Sequence, residues 1–288
     1  MQFSKPVTDL ITERFSCRTY ATRPLAEERR RRLSDAASVL STGRLGSSLR
    51  FQLVATEADD ATALKGLGTY GAIRDPAGFI VGAATRGGKY LEDYGYAMES
   101  LILTATDIGL GSCWLGGFFT RGTFSRRIAL KMEERIPAVA SVGEILDADV
   151  ARDGFMRRMA GGARRLAAES LFFEGAFGAP LSHAAGPYGT ALEMTRLAPS
   201  ASNKQPWRVV HLGGSWHFYL SRTSGYRGGL GGKLLKIEDM QRVDIGIAMC
   251  HFELTLAELG VSGRWVEDAP TIVLPDNRTE YVVSWEGM

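Results

Sequence analysis

The sequence has only three cysteines, Cys17, Cys113 and Cys250, widely spaced in 288 residues. That excludes a disulfide framework and any CxxC metal site, and it suits a reducing compartment. Histidines are equally sparse. His183, His211, His217 and His251 show no metal-ligand spacing, so no metal is expected and each reads as structural or solvated. No apolar run approaches the roughly 18 residues of a membrane span. Met1-Gln2-Phe3-Ser4-Lys5-Pro6 lacks the basic region and apolar core of a signal peptide, so a cytoplasmic location is expected. Charge of one sign is also lacking. A net charge of +2 gives no global drive toward nucleic acid or a membrane surface. The run Arg29 to Arg32 reads as a solvated helix face, because no aromatic platform accompanies it.

Several catalytic signatures fail at named positions. Gly228-Gly229-Leu230-Gly231-Gly232-Lys233 is not a phosphate loop, because Arg227 and Leu234 occupy its defining positions. Gly109-Leu110-Gly111 continues to Trp114 instead of a third glycine. Gly213-Gly214-Ser215-Trp216-His217 is no nucleophile elbow. No nucleophile or acid–base dyad is visible. Arg121, Arg126 and Arg127 read as solvated surface charge.

What the chain does contain is a distinctive loop, Ala198-Pro199-Ser200-Ala201-Ser202-Asn203-Lys204-Gln205-Pro206-Trp207. Its prolines exclude a helix interior, and its small polar residues favour local side-chain-to-backbone bonds. The β-branched and aromatic run Trp207 to Leu212 reads as a strand. Such a loop suits a polar planar ligand, and it equally suits an ordinary helix-to-strand connection. Near the start, Arg14-Phe15-Ser16-Cys17-Arg18 places two guanidinium forks around a hydroxyl, a pattern that fits phosphate oxygens or a solvated helix end.

Helices are expected over Pro6–Arg14, Pro24–Val39 and Asp93–Gly109, the last apolar on most faces and therefore a core helix. Strands are expected over Leu49–Thr56, Gly78–Ala84 and Ile136–Glu144, with a Gly/Ser loop at Ser41–Ser48 and a connector at Asp147–Gly162. An acidic-apolar helix is expected around Leu171–Gly175. Leu110 to Phe118 reads as a buried strand ending in Gly116-Gly117, where backbone amides could approach a ligand closely.

The second half repeats the first. Asp93-Tyr94-Gly95-Tyr96-Ala97-Met98 returns as Asp244-Ile245-Gly246-Ile247-Ala248-Met249, and Leu103-Thr104, Gly109 and Trp114 return as Leu254-Thr255, Gly260 and Trp265. About eight identities in about 22 ungapped positions signal an internal duplication. The repeats are placed at residues 1–150 and 151–288.

The loop from Pro199 to Trp207 resembles the Pro-Ser-x-x-Asn-x-Gln-Pro-Trp signature of the FMN-dependent nitroreductase family. Arg14, Ser16 and Arg18 resemble that family's Arg-x-Ser-x-Arg/Lys element. The duplication resembles its tandem-fused, pseudodimeric, TM nitroreductase-like branch, as does Tyr70-Gly71-Ala72-Ile73. The resemblance implies an α+β nitroreductase fold, duplicated, with antiparallel sheets flanked by helices around long central helices. It implies FMN as cofactor, hydride from NAD(P)H, and a nitroaromatic, quinone or related acceptor. Arg14, Ser16 and Arg18 would hold the phosphate and ribityl chain. Gly116 and Gly117 would lie against the ring. Pro199, Ser200, Ser202, Asn203 and Gln205 would contribute across the seam, and Arg165, in a degraded Arg-Lys-Pro-Leu element, would assist at the phosphate. The chain would act as a monomer with one complete site. The alternative is a flavin-binding protein without turnover.

Overall fold

The computed structural model describes residues 2–56, 62–146, 164–182, 184, 186–226 and 237–288. The connector expected at 147–162, the glycine loop at 228–233 and His183 lie outside these residues. Two helices, α1 (Val7–Glu13) and α2 (Glu27–Ser38), precede β1 (Leu49–Ala55), β2 (Gly78–Thr85) and the long helix α3 (Tyr90–Asp107). Then follow β3 (Leu110–Leu115), α4 (Arg121–Arg127), β4 (Glu134–Arg135) and β5 (Val139–Glu144). The remainder carries β6 (Phe172–Glu174), α5 (Gly186–Arg196), β7 (Trp207–Leu212), β8 (Ser215–Ser221), α6 (Met240–Glu258), β9 (Gly263–Val266) and β10 (Thr279–Gly287).

The strands form two five-stranded sheets, and the chain is α+β. The first runs β1-β2-β5-β3, with β4 alongside β2, and is antiparallel throughout. The second runs β6-β7-β8-β10-β9 and is antiparallel except for the parallel β6–β7 edge. The β7–β8 hairpin turns on Gly213 and Gly214, both at positive φ, which a two-residue turn needs to match strand twist. Residues 171–175, expected as helix, instead join the sheet edge, where Phe172 and Phe173 are buried. Helix α2 starts at Glu27, so Pro24 precedes it.

The arginine run on α2 is not simply solvated. Arg29 reaches Glu144 at 2.7 Å, Arg32 reaches Asp107 at 2.7 Å, and Arg30 pairs with Glu27 on its own helix at 2.8 Å. These pairs fasten α2 to α3 and β5. No described helix is long and apolar enough to cross a membrane.

Helices α3 and α6 are buried on nearly every face and make the most extensive contact between two helices. One hydrophobic core runs from Leu10 and Leu33 through Met98 and Leu101 to Trp207, Phe218 and Phe252, without a break between the halves. The helices cross where Gly95 of α3 meets Gly246 of α6. A Cβ on Gly246 would overlap the Glu92 carbonyl, and one on Gly95 would overlap the Val243 carbonyl. These are matched positions of the repeat. Two further matched pairs behave alike. Trp114 and Trp265 each donate the indole N–H to a glutamate of the preceding long helix, Glu99 and Glu253, at 2.7 Å. Asp93 and Asp244 each accept from a loop backbone of their own half.

Because backbone rather than a flexible side chain faces Gly246, the helices must separate to admit a methyl group. Gly246→Ala is expected to destabilise the chain by about 1–3 kcal/mol, as overpacking does. Thermal denaturation checks this, and an unchanged midpoint would refute the close crossing.

Candidate functional site

Arg14 caps the C-terminal end of α1 in an extended conformation, so the chain leaves the helix and runs beside β3. Ser16 bridges Ser112 in parallel, and the Cys17 amide donates to the Ser112 carbonyl at 2.8 Å. This brings Arg14, Ser16 and Arg18 to one point, the buried thiol of Cys113. Burial pushes that thiol up, while the neighbouring Arg18 and Arg14 pull it down and Ser16 hydrogen-bonds it. Cys17 is likewise pushed up by burial, to about 11.

Arg14 is the unusual member. Its side chain is only 6% exposed, its Nε has no hydrogen-bond partner, and the nearest carboxylate oxygen, Glu99 Oε1, stands 3.6 Å away. A guanidinium withdrawn from water without a bonded counter-charge is costly. Arg14 and Glu99 are thus a buried ion pair without a hydrogen bond at Nε.

The second group is the loop from Pro199 to Pro206. Ser200 is extended, and Ser202, Asn203 and Gln205 all adopt positive φ near +50°, rare for residues with side chains. Neighbouring bonds hold that conformation in place. The Ala201 amide donates to Asp244 Oδ1 at 3.0 Å, and the Gln205 amide donates to Ser200 Oγ at 2.9 Å. Arg165 donates to Asn203 Oδ1 at 3.0 Å and to the Leu197 carbonyl at 3.0 Å. Asn203 Nδ2 donates to the Arg164 carbonyl at 2.7 Å, and the Leu166 amide donates to Gln205 Oε1 at 2.8 Å. The structure thus joins Arg165 to Asn203, and its neighbours Arg164 and Leu166 to Gln205, so that the polar ends of Asn203 and Gln205 face the protein. Ser202 is exposed and Pro199 half-buried.

The third group, Gly116-Gly117, follows β3. Arg121 donates to the Gly116 carbonyl at 3.0 Å and to the Ile136 carbonyl at 2.6 Å, and lies over the Phe119 ring. Arg121 is therefore turned inward, against the sequence expectation, and burial lowers its pKa. A Cβ on Gly116 would overlap Met240, and one on Gly117 would crowd Ile237. The two glycines make room for the N-terminal end of α6. Beyond Met240 lies an open cleft of about 460 Å³, lined by Lys89, Tyr90, Glu92, Glu238, Asp239 and Arg242. Its charges are largely paired, as in Arg242–Glu92 at 2.6 Å, and it contains no residue expected at the site.

A polar path crosses the seam between the first and second groups. Glu99 Oε1 lies 3.0 Å from His251 Nε2, and His251 Nδ1 lies 2.9 Å from the Met194 carbonyl. Met194 sits within a turn of Leu197, whose carbonyl Arg165 binds. Glu99 and His251 were not expected from sequence. Their signal was weak, since each is one of several charged or titratable side chains on its long helix.

The sequence comparison agrees with this architecture. The family model described as "Putative TM nitroreductase" matches residues 6–256. The chain belongs to this nitroreductase family. A "putative nitroreductase" from Thermotoga maritima is a similar solved structure, at 18% identity and TM-score 0.61, covering 99% of this chain and 95% of that one. A "putative nitroreductase in complex with FMN" from Desulfovibrio desulfuricans aligns at 22% identity and TM-score 0.40, over 50% of this chain and 89% of that one. No curated protein sequence matches significantly.

Asp244, beneath the nitroreductase loop, is fully buried, and its Oδ2 has no partner among the described residues. Burial raises its pKa well above the carboxylate range, against a smaller lowering from the Ala201 amide. The folded chain therefore holds this proton more tightly than the unfolded chain. Stability is lost as pH rises above the ordinary aspartate value of about 4 toward the folded value. Asp244→Asn keeps the acceptor for Ala201 and removes the titration. Its melting temperature relative to the parent is expected to be higher at pH 8 than at pH 5. A pH-independent difference would count against a buried, strained carboxyl.

Proposed function

We propose that this nitroreductase-family chain is an FMN-dependent oxidoreductase with one site built across the seam of two repeats, residues 1–150 and 151–288. The observation that carries the reading is Arg14. It is a buried guanidinium whose Nε makes no hydrogen bond and stands 3.6 Å from the Glu99 carboxylate, it lies near the same Cys113 thiol as Ser16 and Arg18, and the three resemble the family's phosphate element residue by residue. That donor set fits a phosphate monoester. Arg18 and Arg14 supply charge, and Ser16 a hydroxyl. Arg165 holds the far wall in place through Asn203 and Leu197. Ser202, exposed at the tip of the loop, is the residue there best placed to meet a ligand.

FMN, when bound, supplies the redox chemistry, accepting hydride from NAD(P)H and passing electrons to a nitroaromatic, quinone or related acceptor. The chain's own work is electrostatic and steric. Two cations hold the phosphate, the loop limits water access, and fixed backbone near Gly116 orients the ring. Flavin binding without turnover is the second reading. It is favoured by the inward bonds of Asn203 and Gln205, which leave these amides little freedom to hydrogen-bond a ligand.

Titration of the purified chain with FMN, followed by addition of NADH or NADPH, tests both readings. Binding with bleaching of the flavin absorbance supports the enzyme, and binding without bleaching supports the second reading. Arg18→Ala is expected to weaken FMN binding by roughly 10- to 100-fold, the worth of one charge-assisted phosphate contact. A chain that binds no FMN would sink the proposal.

A further inference from the structure

The buried pair between the two long helices has a proton balance that its geometry settles. Glu99 and His251 are both fully buried. His251 Nδ1 faces the Met194 carbonyl at 2.9 Å, and a carbonyl oxygen only accepts, so Nδ1 carries a hydrogen. His251 Nε2 faces Glu99 Oε1 at 3.0 Å. A neutral imidazole with a bare Nε2 against an ionised carboxylate would place two acceptors in contact. One proton must therefore lie between these two atoms. Whether it resides on nitrogen or oxygen, the pair sums to zero charge. The other carboxyl oxygen, Oε2, is taken by the Trp114 indole at 2.7 Å.

This balance bears directly on Arg14. Its Nε stands 3.6 Å from Oε1, within ion-pair distance but outside hydrogen-bond range, and Nε has no hydrogen-bond partner. If Glu99 were a lone carboxylate, it would neutralise Arg14 in a closed ion pair. Because the proton shared with His251 already cancels the carboxylate, the positive charge of Arg14 stays uncompensated. We infer that His251, from the second repeat, is a positioning residue that balances Glu99 and so keeps Arg14 of the first repeat available to an anionic phosphate. This inference rests on the flavin reading for the identity of the phosphate ligand.

The test compares FMN with riboflavin, which lacks the phosphate, on the parent chain, His251→Gln, Glu99→Gln and the double variant. In His251→Gln the glutamine brings no titratable proton, so Glu99 becomes an unbalanced anion beside Arg14. FMN binding is expected to weaken about tenfold, modest for a charge introduced within about 4 Å, while riboflavin binding stays unchanged. Adding Glu99→Gln should restore FMN binding. Glu99→Gln alone, which replaces one neutral arrangement with another, should leave the FMN-to-riboflavin affinity ratio unaltered. Equal loss of both flavins in His251→Gln, failure of the double variant to recover, or a changed ratio in Glu99→Gln would overturn the inference. Should His251→Gln not fold, the Glu99→Gln ratio decides alone. If the parent chain binds neither flavin, the flavin reading fails, and the same four proteins are titrated with pyrophosphate. Weakening confined to His251→Gln then upholds the charge balance, and equal affinity across them overturns it.

Discussion

The structure depends on backbone meeting backbone where α3 crosses α6. Gly95 and Gly246 let two long, nearly fully buried helices approach until carbonyls of one face the Cα of the other. Everything that spans the two halves follows from that approach. Glu99 reaches His251, Arg242 reaches Glu92, and a single apolar core fills the space around both helices. A helix pair held apart by ordinary side chains would place these groups several ångströms farther apart, beyond hydrogen-bond reach. The seam is thus both the centre of the core and the place where first-half and second-half polar groups meet.

Much of this was legible in the sequence, because duplication writes the same constraint twice. Asp93 and Asp244, Gly95 and Gly246, and Trp114 and Trp265 recur at one offset, and each pair performs matched work in the fold. The long helices, β7, the Gly109 terminus and the Arg14–Arg18 segment follow from local residue choice. Other features were not legible, since they are decided by distant partners. Arg29 and Arg32 look like solvated charge until Glu144 and Asp107 arrive from elsewhere in the chain. Arg121 looks exposed until the Gly116 and Ile136 carbonyls close on it. Residues 171–175 carry an acidic-apolar pattern that short helices and short strands share, and the neighbouring edge of β7 decides between them.

The same distinction applies to the loop at 199–206. Its composition announces non-helical backbone, and three residues with side chains do adopt positive φ there. Composition leaves open which way Asn203 and Gln205 turn. Arg165 and the Leu166 amide, far away in sequence, draw both side chains inward, so their chemistry first of all holds the loop to the protein. Gly116 and Gly117 carry a parallel lesson. Read alone, they suggest backbone bared to a ligand. In the fold they also admit Met240 and Ile237, so packing against the N-terminal end of α6 gives a second reason for small residues there.

Two arginines of the first 150 residues finally meet different glutamates near the seam, one on each long helix. Arg44 Nη2 closes on Glu253 at 3.0 Å, with the Tyr96 ring beneath its guanidinium, and Trp265 binds the same carboxylate. Arg14 approaches Glu99 no closer than 3.6 Å, with Trp114 on that carboxylate in the equivalent manner. Glu99 and Glu253 do not occupy matched positions, so the resemblance lies in the chemistry of the clusters. What separates them is His251, whose Nε2 lies 3.0 Å from Glu99 Oε1. One arginine closes to 3.0 Å on its glutamate, and the other stands 3.6 Å from its own. The two long helices thus each set a glutamate between a tryptophan indole and an arginine, and they differ in how closely the arginine approaches.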